Sequence, residues 1–173
     1  VIGAVSPQGG DFSEPVTQNT KRYVRTFWGL DRALAYARHF PSINWLTSYS
    51  EYADDLKPWY DEHVGPEFVT CRHQMAHLLQ KESELMEIVK LIGADILPED
   101  QKLIIETAKL FRVGFLQQNA YHAIDTYVPL DKQLRMMELM LKLYSGAKDI
   151  VSRAIPLSQL KETGIFESLA KMK

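Results

Sequence analysis

Three long stretches of this sequence begin with a proline and carry apolar residues at helical spacing. They run from Pro66 to Gly93, from Pro98 to Phe115 and from Pro129 to Gly146. Proline fits the first turn of a helix, and glycine ends helices readily because it accepts left-handed backbone angles. The pattern therefore predicts long amphipathic helices that pack into a bundle, with two of them ending at their glycines. The apolar face predicted for the first stretch includes Leu85, Ile88, Val89 and Ile92.

Two shorter helical regions are predicted before this bundle. Asp31 precedes "RALAYARHF" at a position where its carboxylate can accept from the free amides of a first turn. This helix should end at Phe40, because Pro41 disfavours helical geometry in the residue before it. A further helix in "SYSEYADDLKPWYDEHV", residues 48–64, should be broken or kinked at Pro58.

The first thirty residues have a different texture. "VIGAV" at the start and "KRYVRTFWG" at residues 21–29 are rich in β-branched and aromatic residues, and a segment rich in glycine, proline and serine lies between them. This pattern predicts two short strands around a loop. We therefore expect a mainly α chain, with a helical bundle over residues 31–173 and a short β-containing segment over residues 1–30.

Composition excludes several functional classes. The net charge is −2, and the 20 basic and 22 acidic residues are interspersed, so no basic surface for nucleic acid is predicted. No apolar run approaches the ~20 residues that span a bilayer, and the start lacks the charged region of a signal peptide. The single cysteine, Cys71, favours a reducing, cytosolic location. A start at Val1, without methionine, leads us to expect a piece of a longer chain.

The sequence contains no phosphate-binding loop. Neither G-x-x-x-x-G-K-[ST] nor G-x-G-x-x-G occurs. "GGDFSEP", residues 9–15, could offer backbone amides to an anion, but the same residues are typical of a tight turn.

Histidine, cysteine and methionine give weak functional signals. His73 and His77 share a helix face near Cys71, but Gln74 stands where a zinc protease helix has glutamate, so no metal site is predicted. Cys71 is expected to be packed rather than reactive. The face formed by Met136, Met137 and Met140 suits either a core or an adaptable partner surface.

The segment "FRVGFLQQNAYHAIDTY", residues 111–127, is a stronger candidate. Gly114 should interrupt the helix, and the bend that comes after it could bind a flat heteroaromatic ligand. Phe115 would offer a stacking face, Gln117, Gln118 and Asn119 would offer amides, and Ala120 would leave room. The alternative is a capped helix end with Phe115 in the core.

Three motifs together resemble one family, the catalytic A subunit (alpha chain) of V-type and A-type rotary ATP synthases. They are "GAVSPQGGDFSEPVTQNT", "FWGLDRALAYARHFPSINWLTSYSEY" and "GFLQQNAYHAIDTY", which follow the order of the carboxy-terminal third of that subunit. The resemblance implies that residues 1–30 are the end of a nucleotide-binding α/β domain and that residues 31–173 are the carboxy-terminal helical domain. The phosphate loop, catalytic glutamate and magnesium ligands would then precede Val1, so this chain alone should contain no catalytic residue and be inactive.

The resemblance also implies two sets of functional residues. An adenine pocket would involve Phe115, Gln118 and Ala120, with Phe12 as a substitute for a tyrosine found in F-type pockets. The turn "GADILPEDQ" would face the rotor, as the acidic helix-turn-helix tip of the F-type beta subunit does. The residues implied in this rotor contact are Asp95, Ile96, Leu97, Pro98, Glu99 and Asp100.

The resemblance further implies ATP or ADP with Mg²⁺ as ligands of the intact subunit. Its partners would be the B subunits of an alternating hexamer and the subunits of a central stalk. The location would be cytoplasmic, on a head that reaches the membrane only through the complex, which couples ATP hydrolysis or synthesis to H⁺ or Na⁺ transport. The alternative hypothesis is an independent helical adaptor that binds no nucleotide.

Overall fold

The computed structural model describes residues 1–172 and shows a mainly helical chain, as the sequence predicts. It divides into two units, Val1–Lys57 and Pro58–Lys173. The boundary expected at residue 30 lies within the first unit, because backbone hydrogen bonds tie the residues after it to those before it. The amide of Asp31 donates to the carbonyl of Ser42, and the amide of Asn44 donates to the carbonyl of Gly29. No helix in the described part of the chain is long and apolar enough to cross a membrane.

The first unit contains three short helices and one two-stranded antiparallel sheet. The helices are α1 (Pro15–Tyr23), α2 (Arg32–Tyr36) and α3 (Tyr52–Asp55). In the sheet, β1 (Thr26–Phe27) pairs with β2 (Tyr49–Ser50) so that Thr26 lies opposite Ser50.

The predicted strands at the amino terminus are largely wrong. "VIGAV" forms no strand, and of "KRYVRTFWG" only Thr26–Phe27 is extended and paired. Residues 15–23, predicted as the end of the loop and the start of the second strand, form α1, because Pro15 occupies its first turn and the Glu14 carboxylate accepts from the amide of Thr17 at 3.2 Å. These two helix-starting features outweigh the β-branched residues of the segment.

The predicted cap at Asp31 is confirmed. Its carboxylate accepts from the amides of Ala33 at 2.7 Å and Leu34 at 3.3 Å. A further bond from the side chain of Asn44 is the largest of the effects that lower the pKa of Asp31. The helix ends at Tyr36 rather than Phe40, because the chain turns into the left-handed region at Arg38, where φ is 57°.

The second unit is built on three helices, α5 (Phe68–Ile92), α6 (Glu99–Phe111) and α7 (Leu130–Ser152), which pack on one another. A shorter helix, α4 (Lys57–His63), precedes them. The predicted break occurs at Leu56, two residues before Pro58, which lies in the first turn of α4. The start of that predicted helix is wrong, because Tyr49–Ser50 form β2. Two more short helices, α8 (Leu157–Glu162) and α9 (Ile165–Ala170), pack against α6.

The core of this unit lies between α5, α6 and α7. Phe111, Leu103 and Met140 are almost fully buried. The methionine face of α7 is therefore a core face, with Met136 and Met137 buried as well. The far end of α5 differs from expectation, because Ile88 and Ile92 of the predicted apolar face are exposed.

The two glycines expected to end helices behave differently. Gly93 follows α5 with φ of 86°, so that prediction is confirmed. Gly146 lies inside α7, which continues to Ser152, so the predicted end of that helix is wrong. A Cβ at Gly146 would meet no atom within 4 Å, which shows that neither packing nor a turn requires glycine there.

Candidate functional site

The helix that Gly114 was expected to interrupt ends instead in a π-helical turn that continues α6. This turn spans Arg112–Leu116, and the amide of Gln117 donates to the carbonyl of Arg112 at 2.9 Å, five residues back. A helix that widens in this way accommodates an extra residue, and such turns are frequent at functional sites. The predicted interruption at Gly114 is therefore wrong: the helix is widened around Gly114, and the bend begins only after Leu116.

Gly114 is required by close packing rather than by an unusual backbone angle. It is buried, and a Cβ there would lie 2.8 Å from the Cε of Met140 on α7 and 3.2 Å from the Cα of Ala170 on α9. Both distances are shorter than ordinary contact between carbon atoms. The glycine thus lets the turn sit directly on the two neighbouring helices.

Phe115 follows Gly114 on the π-helical turn and is half-buried. Its neighbours Gln118 and Ala120 are exposed on the loop after the turn. Phe115 is therefore neither a fully buried core residue nor a fully exposed one.

The loop after the turn is ordered by Asp125, which is 5% exposed. Its carboxylate accepts from the amide of Asn119 at 2.7 Å, and the side chain of Asn119 accepts from the amide of Tyr121 at 3.0 Å. The hydroxyl of Thr126 donates to the carbonyls of Ala120 and His122. These bonds fix the backbone on which Gln118 and Ala120 lie.

An ion pair between a buried carboxylate and a partly exposed guanidinium at the start of the π-helical turn was not foreseen from the sequence. Nη1 of Arg112 lies 2.6 Å from Oε1 of Glu82 on α5, and the Glu82 side chain is 8% exposed. The signal was present: Glu82 falls on the same helical stripe as the buried residues Met75, Leu78 and Leu79. A charged residue on a core stripe requires a partner.

In the first unit, "GGDFSEP" forms a tight turn whose carboxylates bond to nearby residues. The Asp11 carboxylate accepts from the hydroxyl and amide of Ser13, and these bonds lower its pKa. Phe12 packs edge-on against Phe27, with ring centroids 5.6 Å apart. The glycines, acids and hydroxyl residues of this segment are therefore explained by the turn that they form.

Some of the residues expected to face a rotor are exposed on the turn between α5 and α6. Others are buried or form hydrogen bonds within the helical unit. Ile96 is 70% exposed, and Asp95 and Asp100 are exposed as well. Leu97 is 5% exposed and belongs to the core. The Glu99 carboxylate accepts from the amide of Leu157 at 2.8 Å, at the start of α8, and from Nζ of Lys102.

The remaining candidates show no arrangement for chemistry. His73 and His77 are exposed on α5, and no group of three or more potential metal ligands occurs among residues 1–172. Cys71 is buried in the helical core, and burial raises the pKa of its thiol above the ordinary value. The expectation of a packed cysteine is confirmed.

Two family models match this chain, one on each part. The model of the C-terminal domain of V and A type ATP synthase matches residues 57–161, and that of the nucleotide-binding domain of the ATP synthase alpha/beta family matches residues 1–50. The chain belongs to the V/A-type ATP synthase family. The resemblance of the three motifs is thereby confirmed, and the adaptor alternative is not favoured.

Curated relatives agree with this assignment. The chain is 56% identical over 173 residues to the V-type ATP synthase alpha chain 2 of Clostridium tetani and 51% identical to the V-type ATP synthase alpha chain of Halothermothrix orenii. It is 49% identical to an A-type ATP synthase subunit of Methanopyrus kandleri. In each comparison all of this chain is covered but only 29% of the relative.

The fold is shared with a solved structure at low sequence identity. The ATP synthase subunit NeqB of Nanoarchaeum equitans superposes with a TM-score of 0.65 at 20% identity, over 80% of this chain and 34% of that one. This likeness supports the arrangement of helices described above.

Proposed function

We propose that this chain is the carboxy-terminal part of the catalytic subunit of a rotary ATPase or ATP synthase and that it supplies an adenine contact through Phe115. The observation that carries the proposal is the half-buried ring of Phe115 on an ordered π-helical turn, in a chain of this family. Aromatic rings suit this role because they stack on flat heteroaromatic bases. Gln118 and Ala120 would form the wall beside the base.

The chemistry of the phosphates belongs to other parts of the intact protein. No phosphate-loop motif occurs in the 173 residues, so we assign the binding of Mg²⁺ and the triphosphate of ATP or ADP to sequence outside them. Phosphoryl transfer depends on positioning and charge stabilisation at the phosphates, remote from an adenine contact. The proposed role of Phe115 is thus binding rather than catalysis. Phe12 is the weaker candidate, because its ring already packs on Phe27.

The assembly proposed for the intact subunit has two kinds of partner. B subunits would alternate with it in a ring on the cytoplasmic side of the membrane, and a central stalk would meet the turn between α5 and α6. Exposed Ile96 and Leu91 and the exposed acid Asp95 support a contact at this turn. The complex would couple rotation to H⁺ or Na⁺ transport.

The adenine contact is tested with Phe115→Ala in the intact complex. The ring contributes equally to the ground state and the transition state if it touches only the base, so its loss should raise KM for ATP and leave kcat unchanged. Val113→Ala is the matched control, because it trims an exposed apolar side chain on the same turn. A lower kcat with unchanged nucleotide affinity in Phe115→Ala would contradict the proposal.

The stalk contact is tested by rotation of a bead attached to the stalk. We propose that the turn acts through shape, since exposed ion pairs are worth only ~0–1 kcal/mol. Replacing Asp95 and Asp100 by asparagine should leave torque intact, whereas shortening the turn by several residues should reduce it. Loss of torque on neutralisation alone would show that charge makes the contact.

A further inference from the structure

An ion pair between the buried Glu82 and the partly exposed Arg112 joins α5 to the first residue of the π-helical turn. We propose that this pair is a positioning device that holds the turn in register so that Phe115 presents its ring to the adenine base. The inference rests on the adenine contact proposed above and extends it to two residues that do not touch the ligand.

Stability alone gives little reason for this pair. Burial of the Glu82 carboxylate is costly, and replacing an ion pair that is buried on one side by apolar side chains of similar volume is often neutral or stabilising. Glu82 and Arg112 are nevertheless joined at 2.6 Å beside the buried apolar residues of α5. A direction-specific bond between fixed points on two helices defines their relative placement more sharply than apolar contacts do.

The placement matters because Phe115 comes after Arg112 on the same turn. A π-helical turn holds one residue more than an α-helical turn, and one residue corresponds to about 100° around a helix axis. If the turn relaxed to α-helical geometry, the residues toward its end, Phe115 among them, would be rotated about the helix axis by part of that angle relative to Arg112. Phe115 would then no longer lie in its half-buried position.

Arg112 is fixed at two points. Its side chain is held by Glu82, and its carbonyl accepts the closing bond of the turn from the amide of Gln117. Within the turn, Gly114 sits against Met140 and Ala170. Phe115 therefore lies on a segment anchored by contacts to three other helices, α5, α7 and α9.

The test is the paired variant Glu82→Leu/Arg112→Met in the intact complex. It removes both charges together, so neither is left buried without a partner, and the thermal midpoint should stay close to that of the wild type. We expect KM for ATP to rise about two- to twelvefold, the range that loss of an aromatic contact produces. The value of kcat should not change.

A base-free ligand separates positioning from a general structural effect. Ribose 5-triphosphate carries the sugar and phosphates without adenine, and its inhibition constant should be the same in wild type and variant. Combined with Phe115→Ala, the paired variant should raise KM no further, because the contact it positions is already absent. A second apolar pair, Glu82→Met/Arg112→Met, takes the place of the first if that variant does not fold. Arg112→Lys, which keeps a cation opposite Glu82, is the conservative variant and should show a smaller rise.

Each alternative outcome contradicts a defined claim. An unchanged KM in whichever apolar paired variant folds would overturn the positioning role and leave the Phe115 contact standing, provided Phe115→Ala raises KM. A parallel loss of affinity for ribose 5-triphosphate, or full additivity with Phe115→Ala, would show that the pair is only structural. If Phe115→Ala has no effect, the adenine contact itself is wrong, and the positioning role falls with it.

Discussion

Adding one methyl group at Gly114 should destabilise the helical unit, although alanine is the better helix former. The Cβ would lie 2.8 Å from Cε of Met140, which has no exposed surface, and 3.2 Å from the backbone Cα of Ala170. Overpacking of this kind costs ~1–3 kcal/mol. Alanine also lowers the conformational entropy of the unfolded chain, and this effect offsets ~0.4–1 kcal/mol of the cost. We therefore expect Gly114→Ala to lower the free energy of unfolding by about 1–2 kcal/mol.

Gly146→Ala is the matched control for this prediction. Gly146 is also helical, but no atom lies within 4 Å of the Cβ position, so alanine should raise the free energy of unfolding by ~0.5–1 kcal/mol. Urea denaturation of the 173-residue chain, followed by circular dichroism in the far ultraviolet, measures both variants. If both substitutions stabilise the chain, the close packing described around Gly114 is wrong.

Three further outcomes can be tested on the same chain. The pKa of Glu99 lies below its ordinary value of 4.5, first because of the bond from the amide of Leu157 and then because of the bond from Lys102. The ionised carboxylate therefore stabilises the folded chain at pH values above 4.5. The stability difference between wild type and Glu99→Gln should therefore be constant at neutral pH and disappear as pH falls through the lowered pKa, which pH-dependent denaturation measures. Asp31→Ala removes the cap of α2 and should cost ~1 kcal/mol, seen as faster hydrogen exchange at the amides of Ala33 and Leu34. The purified chain should hydrolyse no ATP above background in a phosphate-release assay, and measurable turnover would contradict the assignment of the phosphate site to sequence outside it.

The sequence predicted the helical bundle because its signals are local. Prolines and acids at the helix starts, the carboxylate at Asp31 and the glycine at Gly93 act within one turn, so they can be read without knowledge of the packing. Burial of the methionines on α7 agrees with the same periodicity. The motif resemblance then indicated the family, which periodicity alone could not.

The failures have tertiary or competing local causes. Residues 15–23 contain β-branched side chains, but a proline in the first turn and the Glu14 cap favoured a helix. Gly146 has the residue type of a helix end, yet α7 continues because its packing on α5 and α6 outweighs one glycine. The π-helical turn depends on contacts of Gly114 and Arg112 with other helices, which one-dimensional patterns do not show.

Photolabelling of the intact complex with 2-azido-ATP tests the central claim most directly, since the reactive group is on the adenine ring. After irradiation, peptides are mapped by mass spectrometry. The proposed contact predicts an adduct within residues 112–121, the segment that contains Phe115, and its loss when excess ATP is present. Labelling that is abolished by ATP but falls entirely outside this segment would contradict the assignment of the adenine contact to Phe115.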